Sequence, residues 1–160
     1  MRSRHNSLRT RKMGFEYIMN HSDYTSTTML TGNMRCHTNM KGGHSTFVTD
    51  VPTSLGGKGE YPTPAAMLAA TLASCMLSML AFTGKRRGFA TDGISAKAAC
   101  HEDKQGIRAF EIKISVPMAP PPEIRKLMEA SVRSCPVSNA LHPNIGKNIV
   151  WIYADDVHPC

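Results

Sequence analysis

Thr63-Pro64-Ala65-Ala66-Met67-Leu68-Ala69-Ala70-Thr71-Leu72-Ala73-Ser74-Cys75-Met76-Leu77-Ser78-Met79-Leu80-Ala81-Phe82 contains the longest apolar run of the chain, and its reading decides the fold. Thr63 can accept a hydrogen bond from the free amides of a helix start, and Pro64 falls where a missing N–H costs nothing. No breaker follows until Gly84. Gly88 makes a stop, after Lys85-Arg86-Arg87, whose cations complement the negative end of the helix dipole. The predicted helix is long enough to span a bilayer. Ala dominates it, however, and Thr71, Ser74 and Ser78 interrupt it, so its hydrophobicity is modest. Apolar on every side, it reads as a buried central helix. Met67, Met76 and Met79 read as core filling, and the three hydroxyls as back-bonded to the helix or facing a partner helix.

The flanking segments read as strands and short helices. Thr-rich Tyr24 to His37 gives one or two strands, Lys41-Gly42-Gly43 a turn, and Ser45-Thr46-Phe47-Val48-Thr49 a return strand. Pro52 to Tyr61, with Gly56-Gly57-Lys58-Gly59, reads as a flexible loop. Beyond the helix, Ile94, Ala96, Ala98 and Cys100 alternate with polar positions, as do Phe110, Ile112, Ile114 and Val116, around a turn at Asp103 to Gly106. Pro120-Pro121-Pro122 launches a helix with Glu123 in its first turn and Ile124, Leu127, Met128 and Val132 on one face. Cys135 ends it, Pro136 blocks continuation, a short helix runs from Val137 to Leu141, and a strand closes at Asn148 to Tyr153. The predicted order is β-β-α-β-β-α-β, an α+β fold.

The chain has 160 residues, which suits one domain. Its formal charge of +7 is concentrated in Arg2, Arg4, Arg9, Arg11 and Lys12, and falls to +2 without them. Residues 1–22 therefore read as a basic, disordered tail, and 23–160 as the folded domain. An Arg-rich, acid-poor start also resembles a transit peptide, and Met13 or Met19 could begin a shorter chain. With the charge confined to a tail and few aromatics interleaved, no nucleic-acid or membrane partner is expected. The five cysteines form no C-x-x-C, and neither Cys36-His37 nor Cys135 with His142 has zinc-site spacing. No cofactor is expected, and a reducing cytoplasm fits best. Cys36, Cys100 and Cys160 read as ordinary thiols.

The ordered set Thr49-Asp50-Val51-Pro52, Gly56-Gly57, Pro62-Thr63-Pro64 through Leu68-Ala69-Ala70 to Ser74-Cys75, then Cys135-Pro136-Val137, resembles the osmotically inducible protein C / organic hydroperoxide resistance (OsmC/Ohr) family. The match spans roughly Tyr24 to Tyr153 and looks closest to the general OsmC-like branch. The resemblance implies an OsmC-like fold and an intertwined homodimer whose long central helices pack together. It also implies reduction of organic hydroperoxides, with Cys75 as the attacking cysteine, Cys135 as the resolving one, and an external dithiol, of lipoyl type in some members, as reductant. A thiol buried in apolar surroundings is driven above its usual value of about 8.5, so the attacking cysteine needs a cation. In peroxidase members this is an Arg in the first hairpin's turn, held by a Glu in the first turn of the cysteine helix. Here the helix begins Pro64-Ala65-Ala66-Met67. With Lys41-Gly42-Gly43-His44 taken as that turn, Lys41 and His44 become the candidate activating residues. The alternative function is a non-peroxidatic OsmC-like dimer that binds an apolar small molecule at the subunit interface.

Overall fold

The computed structural model describes residues 25–41 and 45–156. The basic tail and Cys160 lie outside the described residues. The chain divides into two compact units, with the boundary between Tyr61 and Pro62.

The N-terminal unit is a three-stranded antiparallel sheet in the order β1 (Ser26–Leu30), β2 (Cys36–Met40), β3 (Thr46–Thr49). Three strands thus precede the long helix, where the order β-β was expected and a further strand within Tyr24 to His37 was left open. The division comes from a tight turn in which Gly32, Asn33 and Met34 all take positive φ (99°, 50° and 59°). That turn is closed by the Thr31 N–H donating to Arg35 O at 2.8 Å and the Arg35 N–H donating to Gly32 O at 3.0 Å. Thr28 and Thr38 face each other across β1 and β2 with their hydroxyls 2.9 Å apart. Polar pairs of this kind hold the sheet, because its large apolar side chains Met29, Leu30 and Met34 remain exposed.

The C-terminal unit is built on α1 (Pro64–Arg87). Its start is as the sequence predicts: Thr63 Oγ1 accepts from the Ala66 N–H at 3.1 Å and Pro64 occupies the first turn. Gly88, at φ 77°, ends it by donating to Gly84 O at 2.8 Å. Thr71 and Ser78 back-bond to Met67 O and Ser74 O. β4 (Ser95–Asp103) and β5 (Gly106–Val116) form the predicted antiparallel hairpin, and β6 (Gly146–Tyr153) adds to β5 in parallel. Between β5 and β6 the chain forms α2 (Pro122–Arg133) and α3 (Pro136–Ala140). Arg125 ties this crossover to the end of β6. Its guanidinium lies 4.1 Å above the Tyr153 ring, donates to Pro120 O at 2.9 Å and pairs with Asp155.

One core fills this unit. Leu72, Met76 and Leu80 of α1 pack with Phe110, Ile112, Ile114 and Val116 of β5 and with Met128 and Val132 of α2. Each large side chain fully buried in this way contributes about 1.5–3 kcal/mol over its exposed state, which outweighs any difference in helix propensity along α1. Burial reaches only one face of the helix. Ala66, Ala70, Ser74, Ser78 and Ala81 stay exposed, so the described residues of one chain do not wrap the helix on all sides. By length and composition α1 is also apolar enough to cross a membrane.

Gly84 shows how tightly the end of α1 is packed. A Cβ there would lie 2.7 Å from Thr91 Cγ2 and 2.9 Å from Phe89 O. In an open helix, Gly→Ala stabilises by about 1 kcal/mol. Here Gly84→Ala is expected to reverse that sign and destabilise by about 1–3 kcal/mol through overpacking, measured as a lower denaturant midpoint.

Candidate functional site

The structure brings Cys75 and Cys135 together. Cys75 sits in the middle of α1, half-buried and packed against the core, with buried Leu72 and Met76 as helix neighbours. Cys135 is completely buried at the N-cap of α3. Pro136 forces the backbone of Cys135 out of the helical region, which ends α2 and aims the side chain back along the new helix. Its backbone is pinned on both sides, donating to Val132 O at 3.1 Å and accepting from the Asn139 N–H at 3.0 Å.

The Cys135 sulfur accepts a hydrogen bond from the Ser138 N–H at 3.5 Å. Burial pushes the Cys135 thiol above its ordinary value, and the neighbouring Cys75 thiol pushes it further. The N–H groups of Ser138 and Val137 pull in the opposite direction without overcoming the rise. The pair is therefore asymmetric: one thiol half-open to solvent, the other dry and held protonated. Cys36 and Cys100 are also free thiols, but Cys100 lies on β4 opposite Phe110, and burial raises it as well. Among the described residues, no group of three or more His, Cys, Asp and Glu gathers as a metal site would require.

The two candidate activating residues fare differently. His44 lies outside the described residues. Lys41 is exposed beyond the end of β2, in the N-terminal unit. The sequence reading took Lys41 to His44 as the first hairpin's turn, whereas the first hairpin is β1–β2, and its turn ends at Arg35. The missed signal was Gly32-Asn33, a dipeptide that favours tight turns.

Arg35 is the hub of the N-terminal unit. It donates to Asp50 Oδ2 at 2.8 Å, pairs with Glu60 and lies 4.6 Å above the Tyr61 ring. The Asp50 side chain is wholly inaccessible. It also accepts from the N–H groups of Val51 (2.8 Å), Lys58 (3.4 Å) and Glu60 (3.4 Å). These bonds order the Gly-rich segment that the sequence reading left as a flexible loop. The Arg35 hydrogen bond, followed by those amides, lowers Asp50 to about 2 against the opposing effect of burial.

The C-terminal unit carries a second feature. Ala70, Ala73, Ser74, Leu77, Ser78 and Ala81 of α1, with Ala96 and Ala98 of β4, line an open groove of about 560 Å³. Ala98 shares a face with buried Ile112 yet stays exposed, because no described residue covers this end of the groove.

The family model for OsmC-like proteins matches residues 57–149. Among solved structures, the chain is similar to a Psychrobacter arcticus protein ascribed to osmotic stress induction and detoxification, with a TM-score of 0.77 at 23% identity, over 82% of this chain and 98% of that one. It is also similar to an organic hydroperoxide resistance protein OsmC from Legionella pneumophila (TM-score 0.65, 19% identity, 82% and 98% covered). A third is an organic hydroperoxide resistance protein from Elizabethkingia anophelis (TM-score 0.63, 26% identity, 81% and 96% covered). No curated protein matches.

Because Asp50 is held below its unfolded pKa, its contribution to stability is fully present above about pH 4 and is lost as pH falls through about 2. Arg35→Ala is expected to remove this contribution and move acid loss of the β1–β3 sheet to higher pH. Amide hydrogen exchange of β2 and β3 across an acid titration measures it; an unchanged acid midpoint would show that Arg35 does not hold Asp50 ionised.

Proposed function

We propose, because the chain belongs to the OsmC-like protein family, that it is a cysteine-based reductase of organic hydroperoxides acting in oxidative-stress defence. The observation that carries this reading is the asymmetric thiol pair, Cys75 half-exposed on α1 and Cys135 buried against it. The Cys75 thiolate attacks the distal oxygen of the peroxide. The O–O bond breaks, the sulfur gains oxygen as a sulfenic acid, and the departing alkoxide takes a proton from water to leave as the alcohol. The Cys135 sulfur then attacks the Cys75 sulfur. An S–S bond forms, the S–O bond breaks, and water leaves carrying the Cys135 proton. An external dithiol, of lipoyl type in this reading, restores both thiols by exchange and becomes a disulfide itself.

The apolar residues around the pair favour organic over hydrogen peroxide. A cytoplasmic setting keeps the pair reduced between turnovers. Arg35, at the end of the first hairpin's turn, is held by Asp50 and Glu60.

A homodimer completes the reading. Small residues on the open face of α1 let a second helix approach closely, and a second copy covers the groove that one chain leaves open. The alternative, an apolar small molecule in a non-peroxidatic dimer, draws on the same groove.

Addition of one equivalent of cumene hydroperoxide is expected to consume two thiols and link Cys75 to Cys135, as read by thiol titration and peptide mass. Cys135→Ser should stop at a trappable sulfenic acid, and Cys75→Ser should consume no peroxide. Unchanged thiols in the wild type would remove the peroxidase reading and leave the binding one. Ser78→Arg, placed in the groove, is expected to shift the native mass from dimer to monomer.

A further inference from the structure

We propose that the cavity between α1 and α2 binds an acid-headed amphiphile. Arg86 and Arg87 hold its carboxylate, and its apolar body lies along α1 toward Cys75. The cavity has a volume of about 450 Å³ and is lined by Phe82, Thr83, Arg86 and Arg87 of α1 and by Leu127 and Ser131 of α2. It shares no residue with the open groove beside β4.

Charge singles this cavity out. Arg35, Arg108, Arg125 and Arg133 each pair with a carboxylate of the chain. Among the described residues Arg86 and Arg87 have no such partner, although both are exposed and line one cavity. Their place in the last turn of α1 complements the helix dipole. Lys85 serves that end equally, yet it does not line the cavity. The Arg86 guanidinium lies 5.4 Å over the Phe82 ring, so charge and apolar surface meet at one point.

The donors assign the head. Two guanidinium forks match the two oxygens of a carboxylate. Ser131, buried in the cavity wall, already donates its proton to Met128 O at 2.7 Å, so it has none for the further oxygens of a phosphate. The helix end carries partial negative charge and repels an anion, so direct pairing with the two arginines has to hold it.

Helical spacing assigns the body. Cys75, Met79, Phe82 and Arg86 follow one another by four, three and four residues and form one stripe on α1. Cys75 and Met79 are half-buried and Phe82 is exposed, giving an apolar track that ends at a cation. On α2, Leu127 and Ser131 stand one turn apart, and Cys135 follows four residues after Ser131. Helical rise separates Cys75 from Arg86 by about 16 Å, close to the extended length of dodecanoate.

The test is calorimetric titration of the full chain with dodecanoate, dodecanol, acetate and dodecyl phosphate. Dodecanoate is expected to bind tightest, at one site per chain. Loss of a charge-assisted hydrogen bond weakens binding about tenfold or more, and that loss is expected in Arg86→Gln and in Arg87→Gln. Lys85→Gln, which removes an equal charge outside the cavity, should leave the affinity unchanged. All three side chains are exposed, so these substitutions leave the core untouched. Saturating dodecanoate should also slow alkylation of Cys75 by iodoacetamide, read on the Cys75 peptide by mass spectrometry, whereas acetate should not. Equal affinity for dodecanol, an equal loss in Lys85→Gln, tighter binding of dodecyl phosphate, or unchanged Cys75 alkylation would overturn the proposal. No peroxide enters these measurements, so their outcome is independent of the peroxidase reading.

Discussion

The C-terminal unit depends on the burial of one face of α1. Leu72, Met76 and Leu80 lie at helical spacing and need a dry surface, which the inner face of β5 and the apolar side of α2 supply. That requirement fixes the rotation of the helix about its own axis. With the rotation fixed, Cys75 falls at the margin of the buried face, adjoining the core yet not sealed by it. A residue one position earlier, Ser74, is exposed, and one later, Met76, is sealed. In the proposed function the attacking thiol has to meet both a peroxide and a partner sulfur, and this margin gives it access to each.

The N-terminal unit is organised on a different principle. Its sheet has few buried apolar side chains, and its most buried large group is a carboxylate. Asp50 collects a guanidinium and three amides, so it is a fully bonded buried charge rather than an orphan. Removing one partner from such a group costs more than the bond itself returns, because the remaining charge stays dry. Arg35, Asp50 and Glu60 therefore behave as a unit, with Tyr61 capping the guanidinium from above.

Legibility in the sequence followed how local the determining physics was. The long helix could be read to the residue, since Thr63, Pro64 and Gly88 act within one turn of its ends. The β4–β5 hairpin was legible because alternation is a nearest-neighbour pattern. The β1–β2 division was not, because a Thr-rich stretch has no buried face to mark and its turn places Met34 in a conformation that methionine rarely adopts. The Arg35 hub was hidden for another reason: its partners stand 15 and 25 residues away, at separations that no local pattern encodes. Cys75 and Cys135 were paired through the family resemblance, whereas the seat of Cys135 at a helix cap follows from Pro136, which ends one helix and begins the next. The bare face of α1 was foreseen as covered by a partner helix and is exposed in the single chain, because hydrophobic patterning reports what must be covered and not which chain covers it.

The parallel pairing of β5 with β6 has a consequence for biosynthesis. A parallel strand pair cannot close through a short turn, and here α2 and α3 form the whole crossover. Cys135 rides on that crossover, and Lys147 of β6 braces the segment beside it. Chain entropy opposes this closure until the last described strand has left the ribosome and docked. The crossover that carries Cys135 is thus locked into the sheet only after β6 has been made.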